Sequence, residues 1–151
     1  KTMIPTFITM ITIIGTARIM GYSGMITTMA TITVAATGTF YPFISPLIGA
    51  AGSFITGSAT TSGVLFGKLQ ADSALAIGAN EIGQAWMAAA NASGACVGKI
   101  ISPQSIAIGV AAVGIHGVES QLMKFAAKVF LPFVILMGCL VYFGQAVVEN
   151  L

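Results

Sequence analysis

Charged residues are so sparse along this 151-residue chain that they cut it into long apolar runs. Lys1 and Arg18 bracket the first run and predict a helix over about 3–18, long enough to cross a thin bilayer if its ends snorkel. No charge occurs from Ile19 to Gly67. That run exceeds one crossing and is too rich in Gly and Pro for one straight helix. Its first part, "GMITTMATITVAATGTFY", predicts a helix over about 22–41 whose Thr and small residues suit close helix–helix contact in a membrane. Pro42 and Pro46 then break the chain and open a new segment.

That segment, about 43–77, has two apolar arms, "FISPLIGAAGSF" and "VLFGKLQADSALAI", around a patch of hydroxyl residues and glycine, Thr56 to Gly63. Arms of about 11–14 residues, at ~1.5 Å per residue, each reach about half of a ~30 Å bilayer core. The pattern predicts a re-entrant helical hairpin. Non-helical backbone at membrane depth is tolerated only inside protein or beside a watery cavity, so the tip should face a site.

After the polar "GANEIGQ", the theme repeats over about 85–115. A small-residue half, Ala85 to Val97, and an apolar half, Ile106 to Ile115, flank "GKIISPQS". Together they predict one discontinuous helix, although two short spans with a tight turn fit the same length. "HGVESQLMKFAAK" predicts a surface helix over about 118–128, with His116 in the loop before it. Lys124 and Lys128 favour the cytoplasmic side for that loop, which would put the C-terminus outside. The uncharged run from Val129 to Val148 predicts the last span, over about 129–148, with Pro132 near its start.

Composition agrees with a bilayer as solvent. Apolar residues make up 56% of the chain and charged residues 7%, too few charges to cover a water-facing surface. There is no basic cluster, which argues against nucleic acid as a partner. There is no CxxC, HExxH or His/Cys/acidic cluster either, so no metal site and no cofactor are expected. Cys96 and Cys139, in apolar sequence, read as two buried thiols rather than a disulfide. The chain begins with Lys1 and carries no signal-peptide pattern, so it reads as a fragment from within a longer membrane protein.

"ARIMGYSGM", "GSFITGSATTSGVLFGKLQ", "AAN", "GKIISPQSIAI" and "QLMKFAAK" occur in that order. By them the chain resembles the C-terminal part of the bacterial lactate permease family over nearly its whole length. The resemblance implies a symporter of the bacterial plasma membrane that imports L-lactate, D-lactate or glycolate with protons. It further implies kinship with ion-coupled carboxylate transporters built from inverted repeats. This chain would then be the second repeat, all-α, partnered by an N-terminal repeat of the same polypeptide and by the bilayer, with oligomerisation left open. Relatives carry an acidic residue where this chain has Ala59 and Asn where it has Gly63. If that acidic position carries the coupled proton in the family, this protein must carry it elsewhere or couple differently.

A small 2-hydroxycarboxylate in such a site needs charge compensation, donors for its carboxylate and a partner for its hydroxyl. Half-helix N-termini offer unpaired N–H groups and positive dipole ends. The second hairpin arm is expected to start near Ser62 and Gly63, and the second half-helix at Pro103 with Ser102 as its cap. The candidate substrate-binding set is Ser58, Thr60, Thr61, Ser62, Gly63, Lys99, Ser102, Gln104 and Ser105. Ser and Thr in membrane helices also bond back to their own backbone, and Gln104 is equally suited to tying two helices together. Lys99 either compensates the carboxylate, or snorkels to an interface or pairs with an acidic group elsewhere in the longer protein. Arg18 reads as an interfacial anchor or an inter-repeat pair rather than a ligand. Asp72, four residues from Lys68, is expected to pair with it; Asp72 and Glu81 are the candidate proton carriers. A membrane-embedded assembly subunit would explain the small residues but not polar patches at both breaks. An intramembrane hydrolase would need a Ser/His/Asp or Ser/Lys arrangement, and none is evident.

Overall fold

The structure, a computed structural model, describes residues 3–115 and 117–148. His116 and Lys1 lie outside the described residues. Among the described residues, seven α-helices follow one another: α1 (Met3–Tyr22), α2 (Met25–Thr37), α3 (Tyr41–Thr56), α4 (Ala59–Ala76), α5 (Glu81–Ile100), α6 (Pro103–Val113) and α7 (Glu119–Val148). A short 3-10 turn, Gly38–Phe40, joins α2 to α3. Among the described residues, two helical runs are long and apolar enough to cross a membrane, Met25–Thr56 and Glu119–Val148, and the α5–α6 pair is a third if its 45° bend is counted as one broken span.

Several boundaries differ from the sequence expectation, each for a local reason. The expected 22–41 helix is shorter, because Gly38 takes φ 55° and ends α2 at Thr37. Pro42 and Pro46 do not break the chain. Pro42 sits in the first turn of α3, where its missing N–H is harmless, and Pro46 lies buried inside that helix. Only Gly57 and Ser58 of the expected polar tip are non-helical, so α4 starts at Ala59 and not near Ser62 and Gly63. Asn80 caps α5 by accepting from the Gly83 N–H at 2.8 Å, which sets its start at Glu81 rather than Ala85. The expected surface helix 118–128 and last span 129–148 form one helix, α7, with Pro132 inside it. No glycine or polar break separates Lys128 from Val129.

The centre of the bundle is the contact of α3 with α5, and these two helices run parallel. Near their starts the Ser45 hydroxyl donates to Met87 O at 3.4 Å. Further along, a Cβ added to Gly98 would come within 2.5 Å of Ala50 Cα and 2.6 Å of Ser53 Oγ. Gly94 approaches the Pro46 backbone and Gly49 the Asn91 backbone just as closely. Gly94 and Gly98 form a GxxxG pair. The absence of side chains lets two backbones touch, which is how helices associate where no hydrophobic effect drives them together.

The helix α4 returns antiparallel against both, with Ser62 beside Gly49 and Gln70 beside Ser45. α7 also runs back antiparallel: Gly138 abuts Phe43, and Trp86 Nε1 donates to Val141 O at 3.2 Å. Tyr41 and Met87 are fully buried where these elements meet, with Ala74, Ala90 and Val141 around them. α1 and α2 pack on the outer side of α4. There the Lys68 ammonium pairs with Asp72 at 2.7 Å, as expected from their spacing, and Thr27 Oγ1 donates to the same carboxylate at 3.3 Å. The outside stays apolar, with Ile19, Val113, Phe125 and Phe143 each about two-thirds exposed or more. Cys96 and Cys139 are free thiols, but Cys96 is exposed and Cys139 only half-buried, so the expectation of two buried thiols fails. Apolar sequence here faces outward, as it does around a bilayer-facing bundle.

Candidate functional site

Because α3 and α5 run parallel, the hairpin tip and the helix break come to the same level. Gly57 closes α3 in a left-handed conformation, φ 69°, and its N–H donates to Ser53 O at 2.8 Å. The chain then reverses through Ser58, whose side chain accepts from the Thr61 N–H at 3.2 Å and caps α4. The Thr56 hydroxyl braces this turn by accepting from the Ser58 N–H at 3.3 Å.

The α5–α6 break has a different cause. Pro103 lacks an N–H, and its ring crowds the carbonyl four residues back, so α5 cannot continue. The residue before a proline is pushed to extended backbone, and Ser102 sits at φ −65°, ψ 134°. Its hydroxyl, fully buried, accepts from the Ser105 N–H at 3.2 Å and donates to Ser105 Oγ at 2.8 Å. Ser102 is thus the N-cap expected of it, with Pro103 at the first helical position. Only Ile101 and Ser102 are unwound; Gly98, Lys99 and Ile100 remain in α5.

The two breaks touch. Gly57 lies against the Gln104 side chain so closely that a Cβ there would overlap it. Two serine-capped helix starts, those of α4 and α6, therefore adjoin. Among the described residues, the N–H groups of Ala59 and Thr60 on one side and Gln104 on the other carry no hydrogen bond. These first-turn donors and the two positive dipole ends are the chemistry that favours an anion.

The candidate residues divide by position. Ser58, Thr60, Thr61, Ser102, Gln104 and Ser105 gather at the tip and break, with Thr60 and Gln104 exposed. Gly63 lies in the second turn of α4 beside open space. Ser62 is fully buried, and its hydroxyl donates to Gly49 O at 2.8 Å, so its donor is committed to holding α4 on α3. Lys99 is exposed in the last turn of α5 and makes no ion pair among the described residues. Its carbonyl accepts from the Ser102 N–H at 3.2 Å. Asp72 lies about 20 Å along α4 from Ala59, and Glu81 about 28 Å along α5 from the break, at ~1.5 Å per residue. Neither is brought to the tip. Arg18 is exposed on α1.

A second polar cluster escaped the reading of the sequence. Tyr41, Ser45, Gln70 and Asn91 are buried together between α3, α4 and α5. The Tyr41 hydroxyl donates to Gln70 Oε1 at 2.5 Å, and Gln70 Nε2 donates to Ser45 O at 3.2 Å and Asn91 Oδ1 at 3.3 Å. An amide-bearing Gln and Asn in otherwise apolar helix faces were the available signal.

Two apolar helical runs of spanning length, with the α5–α6 pair bent at a Ser-Pro break, make the described residues an all-helical bundle compatible with a membrane protein. Residues 1–148 match the family model for L-lactate permease. The chain belongs to the L-lactate permease family. It is 50% identical over 84 residues to the L-lactate permease of Streptococcus iniae, covering 56% of this chain and 17% of that protein. It is 44% identical over 138 residues to the L-lactate permease of Bacillus subtilis (strain 168), covering 91% and 24%. The glycolate permease GlcA of Escherichia coli (strain K12) is 43% identical over 122 residues, covering 81% and 21%. The chain thus spans less than a quarter of the length of these relatives. No solved structure matches it.

Proposed function

We propose that the chain is part of a symporter that brings lactate, or a related 2-hydroxymonocarboxylate such as glycolate, across the bacterial plasma membrane with protons. The observation that carries this reading is the contact of Gly57 with Gln104, which sets two capped helix starts side by side within an apolar bundle. The anion's carboxylate would take the N–H groups of Ala59, Thr60 and Gln104, while the hydroxyls of Thr60, Thr61 and Ser105 remain for its 2-hydroxyl. Lys99, two residues before the break, supplies long-range charge compensation. The names of the relatives support the substrate class.

In this reading the α3–α4 hairpin is re-entrant, the α5–α6 pair is one discontinuous helix, and the chain is one repeat of an inverted-repeat transporter whose other repeat completes the site. Asp72 and Glu81 remain the candidate proton carriers. From about 20 Å and about 28 Å away along their helices, either would act on the anion through a change of conformation rather than by contact. Proteoliposomes of the full-length protein, this chain together with the rest of its polypeptide, should accumulate labelled lactate or glycolate when a proton gradient is imposed. Folded protein that takes up no 2-hydroxycarboxylate under any gradient would end this reading; uptake of a different small organic anion would keep the site and change the substrate.

A further inference from the structure

The carboxamide of Gln70 lies about 17 Å along α4 from Ala59, too far to touch a ligand at the tip. Yet among the described residues it is the side chain that hydrogen-bonds α4 to both α3 and α5. It is fully buried and uses both of its N–H donors. The amide orientation follows from its partners: the Ser45 carbonyl can only accept, so Nε2 must face it and Oε1 must receive the Tyr41 hydroxyl. Toward the tip, the α3–α5 seam itself is made of residues with little or no side chain, such as Gly49, Ala50 and Ser53 on α3 and Gly94, Ala95 and Gly98 on α5. Such surfaces bring backbones together without large interlocking knobs. Directional amide bonds in a buried setting choose one register among similar ones. A slip of one helical turn would move Gly57 about 5.4 Å relative to Gln104 and part the two helix starts.

We propose that Gln70 is a positioning residue: it fixes the hairpin on α5 so that the starts of α4 and α6 face the same point. The inference rests on the transport reading only for its consequence in uptake, and two readouts separate them. The triple variant Tyr41→Phe, Gln70→Leu, Asn91→Leu removes the clasp while leaving few polar groups orphaned, so it should fold better than Gln70→Leu alone, which would strand the Tyr41 hydroxyl and the Asn91 amide. Spin labels on Thr60→Cys and Gln104→Cys, in a Cys96→Ala, Cys139→Ala background, report the tip-to-break separation by dipolar broadening. Unlabelled protein reports lactate uptake.

The triple variant should keep its melting temperature within a few degrees, lose the single close separation, and drop in kcat/KM by at least about 10²-fold, the loss that a displacement of only ~1 Å already produces. If it does not fold, Tyr41→Phe, which removes one bond of the three, should broaden the same signal to a smaller degree. An unchanged separation in the folded variant overturns the proposal, whatever the uptake. A changed separation in a protein whose unmutated form transports no 2-hydroxycarboxylate leaves the positioning role standing and removes the transport reading.

Discussion

Gly57 and Gln104 are in contact although one ends α3 and the other begins α6. The contact depends on two unrelated local events. A left-handed glycine reverses the chain after Thr56, and a proline stops α5 near Ile100. They coincide because α3 and α5 are parallel and backbone-close along Pro46, Gly49, Ala50, Gly94 and Gly98. A glycine-lined interface thus aligns two helix starts, and that alignment is what would give the proposed anion site its donors.

Gly57→Ala should be among the most damaging small substitutions in the chain. The residue needs φ 69°, which costs an L-residue about 1–2 kcal/mol, and the new methyl would also overlap Gln104. Gly63→Ala places a methyl in open space within α4 and should stabilise that helix by about 0.5–1 kcal/mol. Thermal unfolding of the two variants in detergent should therefore shift in opposite directions. Equal shifts would mean that the tip does not hold the described geometry.

How much of this was legible in the sequence depended on whether a signal was local. Ser102 and Pro103 name a helix start by themselves, and they form one. Lys68 and Asp72, four apart on a helix, pair as their spacing requires. The hydroxyl-rich stretch from Thr56 to Gly63 suggested an extended polar tip, but one positive-φ glycine and one serine cap suffice to turn it, so Ser62 joins the packing. Gln70 and Asn91 stand out as amides on apolar helix faces, but their partnership with Tyr41 and Ser45 is not legible, because it joins three helices whose packing no local signal sets. The junction at Val129 was misplaced because charge composition changes there while helix propensity does not.

The cap at Ser102 separates structure from ligand chemistry. Ser102→Ala removes the acceptor for the Ser105 N–H and should cost about 1 kcal/mol of stability, whereas Ser102→Gly should cost only a few tenths. Both variants also free the Ser105 hydroxyl from its partner. If the cap matters to transport only through helix stability, Ser102→Gly should retain the parent KM. If Ser105 must be held toward the anion, the two variants should raise KM alike, despite their different melting temperatures. The second outcome is expected from the 2.8 Å Ser102–Ser105 bond.

Lys99 gives the sharpest test of the electrostatics. It is exposed at the end of α5, where a cation suits the negative end of the helix dipole, and it has no ion-pair partner among the described residues. Lys99→Ala should therefore change stability by no more than about 0.5 kcal/mol. Its effect on uptake should be larger, since an anion near the break loses its nearest compensating charge along the chain. KM for lactate is expected to rise about tenfold, equivalent to ~1.4 kcal/mol, with kcat little changed, because charge compensation acts on binding in both states. Lys99→Arg should restore most of the loss, and added salt should weaken the parent more than Lys99→Ala, since an exposed charge is screened. Parent-like uptake kinetics in a well-folded Lys99→Ala protein would remove this residue from the site and leave the anion to the helix starts alone.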